Sequence, residues 1–397
     1  MPFDRDHTAL SKSSTYGRGE IDVEDRFHQL GWKRLSVILV VTAVAFGTLS
    51  LPSAFATLGM VIGTVACVIL GLAAMYASYI IGEVKLKYPE LKHYVDMGRL
   101  LMGRRGYYIF SFAFVAQLIL VVGSHCLTGG TAFVAISGSS ICSLVFSIAS
   151  TVVLILLAIP PSFAEVAILG YIDFISIVAA ITVTIIATGV QSSKTRERLA
   201  GVNWSAWPRE GTTFAEAMTA ITNIVFAYAF AVTMPSFMDE MHTSMGFRKS
   251  IVAVGIVEIC IYTFTGAILY AFVGQDVQSP ALLSANPIIT KFAFGLALPV
   301  IFISGSINIT VVCRYLFGLL FDRTPCRHID SVRSWAAWIT MVFLAGILSW
   351  IVSEVIPLFY ELLSVISSIF VSAFSYCIPS IMWYRLLKEG GGTSDEI

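Results

Sequence analysis

An all-α polytopic membrane protein of ten transmembrane helices, arranged as two five-helix halves, is what this sequence predicts. Three observations lead there. Of 397 residues, 57% are hydrophobic and 13% charged; soluble chains run at about 45–50% and about 25%, so polar surface is too scarce to coat a water-soluble body. Apolar runs of about 20 residues, the length of a bilayer-crossing helix, recur along the whole chain. The first and the sixth of these runs are each interrupted by a Pro-Ser pair, at Pro52 and Pro235.

The same arithmetic excludes a soluble enzyme, a secreted disulfide scaffold and a disordered protein. Lys plus Arg and Asp plus Glu number 25 each, so there is no basic footprint for nucleic acid. The seven cysteines form no CxxC or Cys/His cluster, and no metal or cofactor is expected. Cys67, Cys126, Cys260, Cys313 and Cys377 lie in apolar runs and read as packing residues. Cys126 and Cys142 could approach each other at one face, but packing is preferred to a disulfide there.

In chain order, residues 1–34 are polar and carry a Ser/Thr run, and read as a disordered cytoplasmic tail with no signal-peptide h-region. Spans at 35–58, 61–84, 107–130, 141–159 and 163–190 make the first half, residues 35–190. An outer loop, 191–212, follows. Spans at 213–236, 249–273, 288–318, 335–356 and 358–384 make the second half, residues 213–387, before a short tail, 388–397. The inner segments then hold most of the Lys and Arg, including Lys85, Lys87, Lys92, Arg99, Arg104, Arg105, Arg314, Arg323, Arg327 and Arg333. The outer side has only Lys194, Arg196, Arg198, Arg209 and Lys291. That bias places both termini in the cytoplasm.

The first span reads Val44-Ala-Phe-Gly-Thr-Leu-Ser-Leu-Pro-Ser53, and the sixth Phe226-Ala-Tyr-Ala-Phe-Ala-Val-Thr-Met-Pro-Ser236. Proline removes a donor and clashes with the preceding turn. Five helices per half give the halves opposite topology, and paired interruptions in an inverted repeat point to a transporter site at the membrane midplane. Unwound backbone is tolerated in hydrocarbon only where it lines a cavity. Its freed N–H groups suit a carboxylate and its carbonyls an ammonium or a coupling cation. The candidate substrate contacts are therefore Ala45, Phe46, Gly47, Thr48, Leu49 and Ser50 with Phe226, Ala227, Tyr228 and Phe230. A pair of simple proline kinks is the competing reading. The aromatic walls, with no fixed charge beside them, suit a neutral aliphatic or aromatic side chain; ordinary packing is the alternative for them.

Further stretches carry a family resemblance: Phe27-His-Gln-Leu-Gly-Trp-Lys-Arg34, Gly47-Thr-Leu-Ser-Leu-Pro-Ser-Ala-Phe55, His93-Tyr-Val-Asp-Met-Gly-Arg99, Gly123-Ser-His-Cys-Leu-Thr128, Pro160-Pro-Ser-Phe-Ala-Glu-Val-Ala-Ile-Leu-Gly-Tyr-Ile-Asp173, Ser236-Phe-Met-Asp-Glu-Met-His242 and Gly274-Gln-Asp-Val-Gln-Ser-Pro-Ala-Leu282. In this order and spacing the chain resembles the amino acid/auxin permease family, most closely its fungal neutral amino acid permeases, from about Phe27 to Leu387. The resemblance implies the five-plus-five inverted repeat of the bacterial leucine transporter, with helices 1 and 6 interrupted, and proton-coupled uptake of amino acids. It also favours the plasma membrane over the vacuole, and it sets no oligomeric state. The chain departs from the family pattern in two places. Only the second glycine of the usual Gly-x-Gly is kept, at Ala45-Phe46-Gly47, and the usual eleventh helix is missing.

An ionisable group at the centre of a membrane helix costs at least about 2.5–3.5 kcal/mol, so each needs a reason. Asp173 lies about 15 Å into the fifth span at 1.5 Å per residue. In the implied fold it faces helices 1 and 8, where it could take a proton outside and release it inside. Its alternative is interhelical glue, bonded to Ser176, Ser304 or Ser306. Glu258 and His125 are the rivals, the first expected in a structural pairing and the second as a satisfied packing histidine. Sodium is the lesser candidate as coupling ion, with hydroxyls at Ser304, Ser306 and Thr310. Asp239 and Glu240, beside Arg248 and Lys249, read as an inner gate or as interfacial anchors.

Membrane proteases and acyltransferases need paired aspartates, His-x4-Asp or His-Glu-x-x-His, which are absent, so no enzyme is expected. The expected function is import of neutral amino acids by proton symport with alternating access. The competing reading is an amino acid sensor or a non-transporting shortened permease.

Overall fold

A computed structural model of the chain describes residues 31–388 apart from 92, 140, 161–165, 198–201, 240, 242–243 and 322–330. The tails expected at 1–30 and 389–397 lie outside the described residues. The helices are α1 (Trp32–Leu58), α2 (Met60–Lys87), α3 (Tyr94–Ser137), α4 (Ser143–Ala158), α5 (Val166–Glu197), α6a (Phe214–Ala227), α6b (Met234–Asp239), α7 (Phe247–Val273), α8 (Pro287–Phe321) and α9 (Val332–Val355). The last, α10, runs from Phe359 to Lys388 through alternating α and π turns. No β-strand occurs among the described residues. Among the described residues seven of these helices are long and apolar enough to cross a bilayer, while α4 and α6a are shorter apolar helices.

Two groups of helices pack separately. The first is α1 with α2, α6a and α7; the second is α3 with α4, α8 and α9. Helices α5 and α10 touch members of both groups, so whatever moves one group against the other acts on them. Small residues let the first group close. Phe55 of α1 lies against Gly63 of α2 and Gly266 of α7, where added Cβ atoms would come within 2.9 and 2.5 Å of its ring.

Helix α3 is two helices joined at a bend. Gly103 has φ +63°, which an L side chain rarely adopts, and the preceding turn folds back so that a Cβ on Gly106 would sit 2.1 Å from the Gly98 carbonyl oxygen. The turn before the bend is anchored by Tyr94, fully buried, whose hydroxyl donates to the Phe374 carbonyl of α10 at 2.6 Å. Its ring meets the Phe374 ring edge-on at 5.2 Å. Tyr94→Phe keeps the ring and strands a buried carbonyl, a loss of about 1–3 kcal/mol. The melting temperature of the purified protein should fall accordingly, and an unchanged value would show that the bond contributes nothing.

One expectation is corrected here. Helix 1 is not interrupted: α1 is continuous from Trp32 to Leu58 with Pro52 inside it. Proline deletes a single intrahelical bond, its own to the Thr48 carbonyl, which a long helix packed along its length tolerates. Thr48 Oγ1 donates to the Val44 carbonyl at 2.7 Å and Ser50 Oγ to the Gly47 carbonyl at 3.0 Å. Thr48 and Ser50 are fully buried, so no water competes for this backbone and the helix stays wound.

Candidate functional site

The sixth span does change its bonding. Helix α6a starts at a capping box in which the Thr213 hydroxyl accepts from the Glu216 N–H and Glu216 accepts from the Thr213 N–H. It ends at Tyr228, whose φ −96° and ψ 31° leave the α region. A 3-10 turn (Ala229–Val232) and Thr233 follow before α6b begins at Met234. Pro235 is thus not where the helix stops. It sits in the first turn of α6b, where a missing N–H costs no intrahelical bond.

Gly47 of α1 lies directly against the end of α6a. A Cβ built on Gly47 would be 2.4 Å from Ala227 Cα and 2.6 Å from Ala227 Cβ. The two predicted stretches therefore meet, one as an intact helix and one as a joint. Leu49, Phe226 and Phe230 are buried with them. The side chains of Ala45 and Phe46 are outside the described residues. Tyr228 turns to other partners: its hydroxyl donates to the Cys67 carbonyl of α2 at 2.9 Å, and its ring packs edge-on against Tyr262 of α7 at 5.1 Å. It ties the joint to α2 and α7.

Across the bundle, Asp173 of α5 is buried, and the Ser304 hydroxyl of α8 donates to its Oδ2 at 2.6 Å. Its Oδ1 has no hydrogen-bond partner among the described residues. The other hydroxyls are used elsewhere. Ser176 donates to the Leu296 carbonyl of α8, Ser306 to the Ile303 carbonyl and Thr310 to the Ser306 carbonyl. Of the hydroxyls expected to share the work, the structure brings only Ser304 to Asp173. The pair spans α5 and α8, a helix that touches both groups and a helix of the second.

His125 is buried on α3 with Nδ1 2.8 Å from the Ile301 carbonyl of α8, the arrangement of a satisfied packing histidine. Glu258 differs from expectation. It is fully buried on α7, yet neither carboxyl oxygen has a hydrogen-bond partner among the described residues. The structural pairing expected for it is not seen among the described residues; of the nearby phenols, Tyr228 bonds the Cys67 carbonyl and Tyr376 the Leu70 carbonyl, while the Tyr262 hydroxyl has no partner there.

At the end of the molecule that carries the basic residues, Arg248 of α7 pairs with Glu83 of α2 at 2.7 Å. Glu240 and the Asp239 side chain lie outside the described residues. A contact that residue-type reasoning missed is His93 Nδ1 to Ser236 Oγ at 3.0 Å, linking α6b to the start of α3. Both residues stand in stretches quoted above, but no spacing within either stretch pairs them. Among the described residues no group of His, Cys, Asp and Glu could hold a metal ion.

Comparison with known proteins follows the geometry closely. Residues 28–391 match the family described as transmembrane amino acid transporter protein. The chain is 54% identical over 366 residues to the N amino acid transport system protein of Neurospora crassa, covering 92% of this chain and 78% of that one. It is 23% identical over 364 residues to a transmembrane transporter of Fusarium pseudograminearum, covering 91% and 76%. Among solved structures, the closed conformation of Mhp1, a nucleobase-cation-symport-1 family transporter, aligns with TM-score 0.58 at 12% identity over 91% of this chain and 80% of that one. A sodium-coupled sialic acid symporter in its substrate-bound outward-open state aligns with TM-score 0.54 at 13% identity over 89% and 78%. At such identities the likeness concerns the fold, which is that of the leucine-transporter-like carriers.

Proposed function

This chain belongs to the transmembrane amino acid transporter family, and from that premise we propose that it imports neutral amino acids by proton symport. It is a multi-pass transport protein, not an enzyme. On this reading the ten spans form two inverted five-helix repeats with both termini cytoplasmic, in the plasma membrane. The substrate lies where the α6a–α6b joint meets α1 at Gly47 and Ala227. The aromatic and small residues of that joint, with no charged side chain among 226–235, favour an uncharged substrate side chain.

The observation that carries the coupling is the Asp173–Ser304 bond between α5 and α8. A bare cation needs several oxygens converging on one point, whereas a proton needs one carboxyl oxygen. Asp173 has one bonded hydroxyl, that of Ser304, and a second oxygen without a partner among the described residues. One open carboxyl oxygen favours the proton. Helix α5 touches both groups and α8 belongs to the second, so their bond is placed to respond as one group moves against the other, which links proton occupancy to access.

The test is uptake of labelled leucine and phenylalanine into proteoliposomes under an imposed pH gradient or an imposed sodium gradient. The pH gradient is expected to drive accumulation and the sodium gradient to leave it at the equilibrium level. Accumulation driven by sodium alone would overturn the proposal.

A further inference from the structure

Glu258 is the ionisable group in the bundle that the transport reading leaves without a task. It is fully enclosed, and neither of its oxygens is hydrogen-bonded among the described residues. A carboxylate in such surroundings requires a cation or several donors. The groups that interact with it electrostatically are phenols: Tyr262 one turn along α7, Tyr228 of the α6a–α6b joint and Tyr376 of α10. Helix α1, which packs along α7, has no charged residue after Arg34. On α5 the one charged side chain before Lys194 is Asp173, and that bonds to α8.

Tyr228 and Tyr376, which stand on other helices, share a second property. Tyr228 is the residue at which α6a gives way to a 3-10 turn, and Tyr376 lies in a π-helical stretch, Ala373–Cys377, of α10. Such departures from α-helical bonding concentrate where helices bend or carry function. Both hydroxyls are now spent on carbonyls of α2, those of Cys67 and Leu70, while the Tyr262 hydroxyl has no partner among the described residues. Release of either bond would free a phenol donor.

From this geometry we infer that Glu258 is a second proton-binding site, loaded and emptied in each transport cycle. The inference rests on the proton-symport reading. In the packing seen here the carboxyl holds its proton. When the α6a–α6b joint moves, the O–H of Tyr228 or Tyr262 donates to the carboxylate, and the proton passes to water on the inner side. No bond other than the carboxyl O–H is broken.

The experiment uses the full chain in proteoliposomes with a trapped pH-sensitive dye, counting protons moved per labelled leucine. Glu258→Gln keeps the shape of the protonated acid but cannot cycle a proton. The ratio of protons to leucine is expected to fall to about one half, with leucine counterflow exchange retained within about twofold. An unchanged ratio overturns the inference and leaves proton symport standing; no proton movement in the unmodified protein overturns the symport reading itself. Infrared difference spectra give a second test should the Gln variant not reconstitute. A protonated-carboxyl band that responds to leucine and is displaced in Glu258→Asp is expected, and a band that does not move between the two proteins counts against the site.

Discussion

Asp173→Asn should abolish proton-driven accumulation while leaving exchange of substrate across the membrane intact. The size of the effect follows from the driving force. One proton moving down a potential of 100 mV contributes about 2.3 kcal/mol and one pH unit about 1.4. Together these sustain roughly 500-fold accumulation for each proton coupled; the variant, whose access no longer depends on protonation at position 173, should reach only about onefold, the level of equilibration. Asparagine preserves the volume, and its carbonyl oxygen can still accept from the Ser304 hydroxyl that now bonds Asp173 at 2.6 Å. What it loses is the capacity to gain and release a proton, so the α5–α8 contact survives and the coupling does not. The measurement is the plateau of leucine uptake under a fixed pH gradient, beside counterflow in its absence. A plateau as high as that of the unmodified protein would remove Asp173 from the mechanism and return it to the role of interhelical glue.

Gly47→Ala is expected to weaken substrate binding by about fivefold to a hundredfold. The atom that the new methyl would meet first is backbone, Ala227 Cα at 2.4 Å, and backbone cannot rotate aside as a long side chain does. Helix α1 and the end of α6a must separate instead, and overpacking of this kind costs about 1–3 kcal/mol, each 1.4 kcal/mol being tenfold in affinity. Widening that contact alters the ground on which the joint at Tyr228 stands. Gly295→Ala is the matched control, since Gly295 is exposed on α8 and a Cβ there meets nothing within 4 Å. Binding of labelled leucine to equal amounts of folded protein checks both variants. Unchanged affinity in Gly47→Ala would move the site away from this contact.

The prolines show where sequence reasoning stopped. Pro52 and Pro235 have nearly the same local surroundings, and both read as interruptions. In the structure Pro52 lies inside an unbroken helix with Thr48 and Ser50 bonded to the turns before it. Pro235 instead opens a new helix after a joint at 228–233. A missing donor matters only in relation to where a helix begins, and that depends on the packing of both ends. The hydroxyls of α8 teach the same point. Ser304 and Ser306 are two residues apart and about 200° apart around a helix, so one at most can face α5. Composition and spacing contain no information on which one it is.

By itself the sequence determined that the chain is helical and bilayer-bound, and it singled out Asp173 as a charge in need of a partner. Those conclusions follow from the cost of unpaired backbone and charge in hydrocarbon, which acts on each segment separately. Only the tertiary structure decided that α1 stays wound, that Gly47 meets Ala227, that Ser304 and not Ser306 holds Asp173, and that Glu258 stands unbonded. Each of these depends on the rotation of one helix against another, and that rotation is set by neighbours more than a hundred residues away in the chain.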